Sequence, residues 1–352
     1  MDARATRPTL SAVARRAGVS VSTASLVFSG SGPVAPATRE RVLAAASELD
    51  YGGPDPTARS LRRGRSGVIG LVTEDTMAEA FRDPVNLALL DGLGEELSDE
   101  QLGLLVVPMA GVGGLDPGDA ALDAAVLLGC GTNIAEPVAS LRRRGVPMIG
   151  VETEPLDGVV AIDLDNRAAS ETAARLLAGL GHVRVAVVTL PLEPAHVRGP
   201  LDAAREDAGT AFVVRERLAG TRTVFPDARG VSAAASSVDE GRRAGRALLD
   251  VDAAGRPTAI VAQSDLLAAG VVLAADELGI RVPEDLSVVG FDGVRLDGVL
   301  TRPLTTMAQP IAAKGRAAGR AVLAALRGEA VEPVLLRCEL RIGATTGPAP
   351  RS

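Results

Sequence analysis

Residues 1–65 hold ten arginines against five acids, a local charge of +5; the whole chain of 352 residues carries −7, so the remainder carries −12. Guanidinium groups gathered at one end suit phosphates, because cations displace the counterions condensed on a nucleic-acid backbone. The plainer reading is that arginine is the cation this chain uses throughout, Lys314 being its only lysine. What separates the two readings is the stretch among the arginines. From Thr9 to Tyr51 it runs TLSAVARRAGVSVSTASLVFSGSGPVAPATRERVLAAASELDY. After Ser20 the side chains Val21, Ser22, Ser25 and Leu26 fall away from an inner stripe of Thr23, Ala24 and Val27. Alkyl and hydroxyl groups on one helix face, beside a cluster of cations, are a chemistry for reading base edges in a DNA groove.

Three short helices must position that face. Leu10, Val13 and Ala14 recur at i, i+3, i+4, with Thr9 placed to cap the first helix and Gly18 to end it. Ser20 can cap the second helix. A third, from about Pro36 to Leu49, carries Val42, Leu43, Ala46 and Leu49 at core spacing. Helix, short glycine turn, helix is the helix-turn-helix pattern, and this head spans residues 1–51. The following run, GGPDPTARSLRRGRSG, reads as a linker over residues 52–66. Pro56 can open a short helix inside it, well under the ~12–15 residues at which a helix stands alone in water.

From Gly67 onward short apolar runs alternate with helical stretches. Strands are predicted at 68–72, 102–107, 124–129, 147–151, 159–164, 183–190, 258–263 and 286–291. Helices are predicted at 86–98, 135–144, 166–180, 239–249, 265–278 and 309–327. Such alternation implies parallel sheets covered on both faces, and it is too much for one sheet, so two α/β lobes are expected. Ligands of such sheets bind beyond the carboxyl ends of the strands.

Other chemistries lack their parts. His182 and His196 are the only histidines, no G-x-S-x-G or H-E-x-x-H occurs, and the GVGG of Gly111–Gly114 has no dinucleotide spacing. Cys130 and Cys338, in apolar strand-like surroundings without metal-ligand spacing, read as buried thiols. No metal or cofactor is expected. The start, MDARATRPTL, lacks the apolar centre of a signal peptide, and no apolar run approaches eighteen residues. The expectation is a cytoplasmic protein with no membrane contact.

The runs A-x-x-A-G-V-S-x-x-T-A-S, T-R-E-R-V-x-x-A-A-x-x-L-x-Y and A-R-S-L resemble the start of a LacI/GalR family transcription factor. RLAG at Arg217–Gly220, SDLLAAG at Ser264–Gly270, RVPEDLSVVGFDG at Arg281–Gly293 and PLTTMAQP at Pro303–Pro310 extend that resemblance over nearly the whole chain. It implies an N-terminal all-α helix-turn-helix head and a two-lobe α/β body, residues 67–352, like a periplasmic binding protein. The implied lobes are about 67–162 with 293–327, and 163–292 with 328–345, joined near Ile162–Asp165, Phe291–Gly293 and Leu326–Val331.

The resemblance also implies partners: near-palindromic double-stranded operator DNA, a second copy in a homodimer, and a small polar effector. Contacts with DNA would come from Thr9, Leu10, Ser20, Val21, Ser22, Thr23, Ser25, Leu26, Thr38, Ala58, Arg59 and Leu61, the last as a minor-groove wedge. Asp83, Asn86, Arg217, Asp265 and Phe291 would meet the effector, with Arg217 and Asp265 taking its oxygens and hydroxyls. The alternative is a solute-binding protein of a transport system with the same two-lobe body. Departures from the family pattern are Leu26 where an arginine is usual, one extra residue between Tyr51 and Ala58, a long loop over 191–214, and aromatics at only 2%. The absence of C-terminal leucine heptads points to a dimer rather than a dimer of dimers.

Overall fold

The computed structural model describes residues 8–30, 32–54, 64–74, 76–109, 116–129, 134–193 and 195–351. The chain divides into two compact units, Met1–Gly67 and Val68–Ser352. In the first, α1 spans Leu10–Ala17, α2 Val21–Ser29 and α3 Pro36–Glu48. Thr9 Oγ1 accepts from Ala12 N at 3.2 Å, and Ser20 Oγ accepts from Thr23 N at 3.0 Å, so both helices start on a hydroxyl cap. Gly18 ends α1 at φ 66°, a left-handed conformation that costs glycine nothing. The core is Val13, Ala14, Ala24, Val27, Val42, Ala45 and Ala46, flanked by Leu10, Leu49 and an edge-on pair of Phe28 and Tyr51 at 5.5 Å. Leu43 does not join it: it is 47% exposed, and Ala45 takes the inner place. Positions 42, 45, 46 and 49 form the stripe, and 43 lies about 100° off it. Ala58, Arg59, Leu61 and the short linker helix lie outside the described residues.

The second unit holds two sheets. In the first lobe lie β1 (Val68–Thr73), α4 (Met77–Ala80), α5 (Pro84–Leu97), β2 (Gly103–Pro108), β3 (Ala124–Leu128), α6 (Ala135–Arg143), β4 (Met148–Val151) and β5 (Val159–Leu164). The second contains α7 (Asn166–Gly179), β6 (Val185–Thr189), β7 (Gly199–Pro200), α8 (Ala203–Asp207), α9 (Phe212–Val224), β8 (Arg229–Ser232), α10 (Val238–Leu249), β9 (Ala259–Ala262), α11 (Asp265–Glu277), β10 (Ser287–Asp292) and β11 (Thr305–Ala308). The chain then returns to the first lobe with α12 (Ile311–Leu326) and β12 (Val334–Leu336), and ends in the second with β13 (Glu339–Arg341). The strand orders are β12-β5-β4-β3-β1-β2, all parallel, and β13-β11-β10-β9-β6-β8-β7, antiparallel only at its two edges.

Two of the three expected crossovers move. β11 pairs with β10, which keeps residues 293–308 in the second lobe, so the chain crosses at Gln309–Pro310 rather than at 291–293. Because β12 pairs with β5, the third crossing is at Arg337–Cys338 rather than at 326–331. Both strands are short pieces beside prolines, without the apolar run that marks the others. The expected loop over 191–214 contains β7, α8 and the start of α9, with Asp202 capping α8. Cys338 is only half-buried, and its thiol is pushed up to about 12 by burial and by neighbouring Asp165; Cys130 lies outside the described residues. Among those residues, no helix is long and apolar enough to cross a membrane.

The return of α12 to the first lobe depends on backbone contact. A Cβ at Gly92 of α5 would stand 2.1 Å from Ala312 O, and one at Gly315 of α12 would stand 2.1 Å from Leu89 O. Neither carbonyl can retreat without parting the helices. Gly92→Ala and Gly315→Ala are each expected to destabilise the body by about 1–3 kcal/mol. A urea titration followed by circular dichroism checks this; unchanged midpoints would contradict so close a contact.

Candidate functional site

At the carboxyl ends of the strands, buried side chains from both lobes converge. Glu152 follows β4, with φ at 54°. Asn166 opens α7, Arg217 sits in the middle of α9, and Asp292 ends β10 at φ 114°. Gln309 lies in the second crossover and Lys314 in the first turn of α12. All six are buried, Lys314 at 1% exposure. Its ammonium donates to Glu152 Oε2 and, at 2.5 Å, to Gln309 Oε1. Gln309 Nε2 donates to Asp292 Oδ1 at 2.7 Å, and Asn166 Nδ2 to Glu152 Oε1 at 3.0 Å. From the second lobe, Arg217 Nε donates to Asn166 Oδ1 at 2.8 Å and Nη1 to Gln263 O at 2.6 Å, while the guanidinium carbon lies 3.6 Å above the Phe291 ring. The network thus ties Glu152 and Lys314 of the first lobe to Asn166, Arg217 and Asp292 of the second.

The two acids settle differently. Burial would raise the Glu152 carboxyl, but Lys314 and Arg217 outweigh it and hold the group below the usual carboxylate range. Burial pushes Asp292 well above that range. Arg217 opposes the rise only in part, and Asp265 and Asp83 add to it.

Of the expected effector residues, Arg217 is the hub and Phe291 is its floor. Asp265 is committed to its own chain: Oδ2 accepts from Gly293 N at 2.7 Å and Val294 N at 2.9 Å, and Oδ1 from Thr306 Oγ1 at 2.6 Å. Burial nevertheless pushes it up to about 6. These bonds hold the turn beyond β10, and Asp292, absent from the sequence expectation, is together with Glu152 an acid 3.6 Å from Arg217. Asp83 Oδ1 caps α5 through Val85 N at 2.8 Å. Asn86 lines a small, mostly apolar cavity with Leu71, Phe81 and Leu128. Glu152, Asn166, Gln309 and Lys314 were also missed. The available signal was Lys314 itself, the one lysine among 36 arginines.

In the head, Thr9, Ser20 and Ser22 are exposed, Leu10, Thr23, Ser25 and Thr38 are half-buried, and Val21 and Leu26 stand out at 47% and 37% exposure. Arg39 Nη1 donates to Val27 O at 3.2 Å, and so fastens α3 to the end of α2. Arg15 and Arg41 are exposed.

Residues 9–53 match the bacterial regulatory proteins of the lacI family, and residues 174–346 match the periplasmic binding protein-like domain. An HTH-type transcriptional regulator of Mycobacterium tuberculosis is 33% identical, over 97% of this chain and 98% of its own length. The chain belongs to the LacI family. It is a DNA-binding transcriptional regulator of that family. Among solved structures, the regulator CelR in complex with cellobiose is 28% identical with a TM-score of 0.65, covering 96% of this chain and 100% of that one. The lac repressor dimer bound to operator and an anti-inducer is 23% identical with a TM-score of 0.71, covering 97% and 100%, and shows the same fold.

Removing one partner of a buried ion pair strands the other. Lys314→Met is therefore expected to lower stability by roughly 3–5 kcal/mol, and adding Glu152→Gln to recover much of the loss. Chemical denaturation of the three proteins checks this; additive losses would contradict the pairing. Asp292 gives a second expectation. Its folded value lies above the unfolded value of about 3.9, so the stability it contributes is full below that pH and is lost as pH rises through the folded value. Asp292→Asn should melt above the wild type at pH 8, with the gap narrowing toward pH 4; a gap that does not change with pH would refute the raised value.

Proposed function

We propose that the chain is a cytoplasmic repressor that binds a near-palindromic operator as a homodimer. In this reading a small polar metabolite of the sugar, polyol or nucleoside class, held between the lobes, controls it. The observation that carries the ligand assignment is the spacing around Arg217. Its Nη2 stands 3.6 Å from Glu152 Oε1 and its Nη1 3.6 Å from Asp292 Oδ1. Both are too long for a hydrogen bond, and a hydroxyl entering there meets a charged donor and an acid acceptor together. Donors on Arg217 and acceptors on Glu152 and Asp292, side by side, suit the paired donor and acceptor of a hydroxyl. The cellobiose bound by CelR supports the same class. A ligand that draws Arg217 or Asp292 out of the network changes the relation between the lobes. It alters DNA affinity by the difference in its own affinity for the two arrangements.

The lac repressor dimer on its operator supports the assembly. So do four exposed apolar side chains of the first lobe: Met77, Phe81, Leu87 and Leu104 are 44%, 50%, 45% and 43% exposed, the last on the edge strand β2. Side chains of this kind suit a self-complementary interface. In the head, DNA contacts are assigned to Thr9, Leu10, Ser20, Val21, Ser22, Thr23, Ser25, Leu26 and Thr38, and in the linker to Ala58, Arg59 and Leu61.

The test has two arms. Selection from a random DNA pool should recover a palindrome with half-sites about one helical turn apart; a lone asymmetric half-site bound by a monomer would refute the dimer. A thermal-shift screen of sugars, polyols and nucleosides should yield a ligand that raises the melting temperature and changes operator affinity. Asp292→Asn should lose that shift and keep its unliganded DNA binding. An equal shift in both proteins would move the pocket elsewhere.

A further inference from the structure

The outward face of α2 carries no charged residue anywhere between Val21 and Ser29. At its start Ser20 Oγ gathers three partners: Thr23 N at 3.0 Å, Ser22 Oγ at 2.9 Å and Thr23 Oγ1 at 2.8 Å. The hydroxyls at the front of the helix are thus tied to one another. Ser29 Oγ, at the back, donates to Leu26 O at 3.3 Å. The large side chains that this face presents to solvent are Val21 and Leu26, and neither can form a hydrogen bond. Leu26 also lies against the backbone at Gly32. A Cβ built on Gly32 would lie 3.2 Å from Leu26 Cδ2, so the isobutyl group rests on a stretch of backbone that a residue without a side chain leaves open.

In the major groove three bases present only donors and acceptors at their edges, and thymine alone presents a methyl group. An alkyl side chain against the other three strips water from polar atoms and returns nothing. We infer that base discrimination by α2 rests on thymine methyl groups packed against Leu26 and Val21, not on hydrogen bonds to guanine or adenine. The arginines of the head hold phosphates whatever the sequence. Leu26 then selects thymine where a guanidinium would select guanine. The inference rests on the reading of this chain as an operator-binding protein, and it names what that operator must contain.

The test uses the full-length chain and the duplex recovered by selection. Each thymine of the half-site is replaced singly by deoxyuridine, which removes only the methyl group, and affinity is read by fluorescence anisotropy at one fixed salt concentration. At one or more positions the affinity is expected to fall about four-fold, the worth of one buried methyl. In Leu26→Ala or Val21→Ala the same replacement is expected to cost nothing further, and the cycle assigns each methyl to its side chain. No loss with deoxyuridine at any position, or an undiminished loss in both variants, overturns the inference and leaves the chain a DNA-binding protein. Recovery of no site at all would overturn the reading beneath it as well.

Discussion

A lysine and a glutamate buried in contact, Lys314 and Glu152, are the interaction on which the body depends. Two such charges are far from water, and their attraction offsets the cost of desolvation only if every remaining donor and acceptor finds a partner. Asn166, Gln309 and Arg217 are those partners, with Asp292 behind Gln309 and Arg217, and they come from different lobes. The requirement to satisfy one ion pair therefore acts at two of the three crossovers, beside Asn166 and at Gln309. Around it the packing is generic, small residues and β-branched strands.

The head solves a different problem with little material. Seven buried side chains, none larger than valine, are its core, and the caps by Thr9 and Ser20 with the left-handed Gly18 set the angle between α1 and α2. Basic charge sits in this unit and acid in the other, so attraction to phosphate is confined to one end of an otherwise repelling chain.

Much of this was legible in the sequence. Thr9, Gly18 and Ser20 declare their positions through local chemistry, and the eight apolar runs became strands, most of them central ones whose burial on both faces leaves a continuous signal. Leu43 misled because 42 and 43 are both large and apolar, and only the geometry of the bundle chooses between Leu43 and Ala45. β11 and β12 carried no run long enough to announce them, and the crossovers moved with them. The junction was the least legible part. Arg217 was found through its motif, but Asp265 and Asp292 are both acids beside strands. What separates them is hydrogen bonding across the fold: three donors saturate Asp265, while Asp292 faces the guanidinium. Glu152 and Lys314 are 162 residues apart, a pairing no local pattern encodes.

The central claim is that the junction network is the sensing site, and the most direct measurement is a crystal structure with a small molecule that raises the melting temperature of the chain. The expected result is a ligand hydroxyl bonded to Arg217 or Asp292, with at least one of the Arg217–Glu152 and Arg217–Asp292 separations changed from 3.6 Å. A ligand bound elsewhere, with the six side chains of the network undisturbed, would contradict the account.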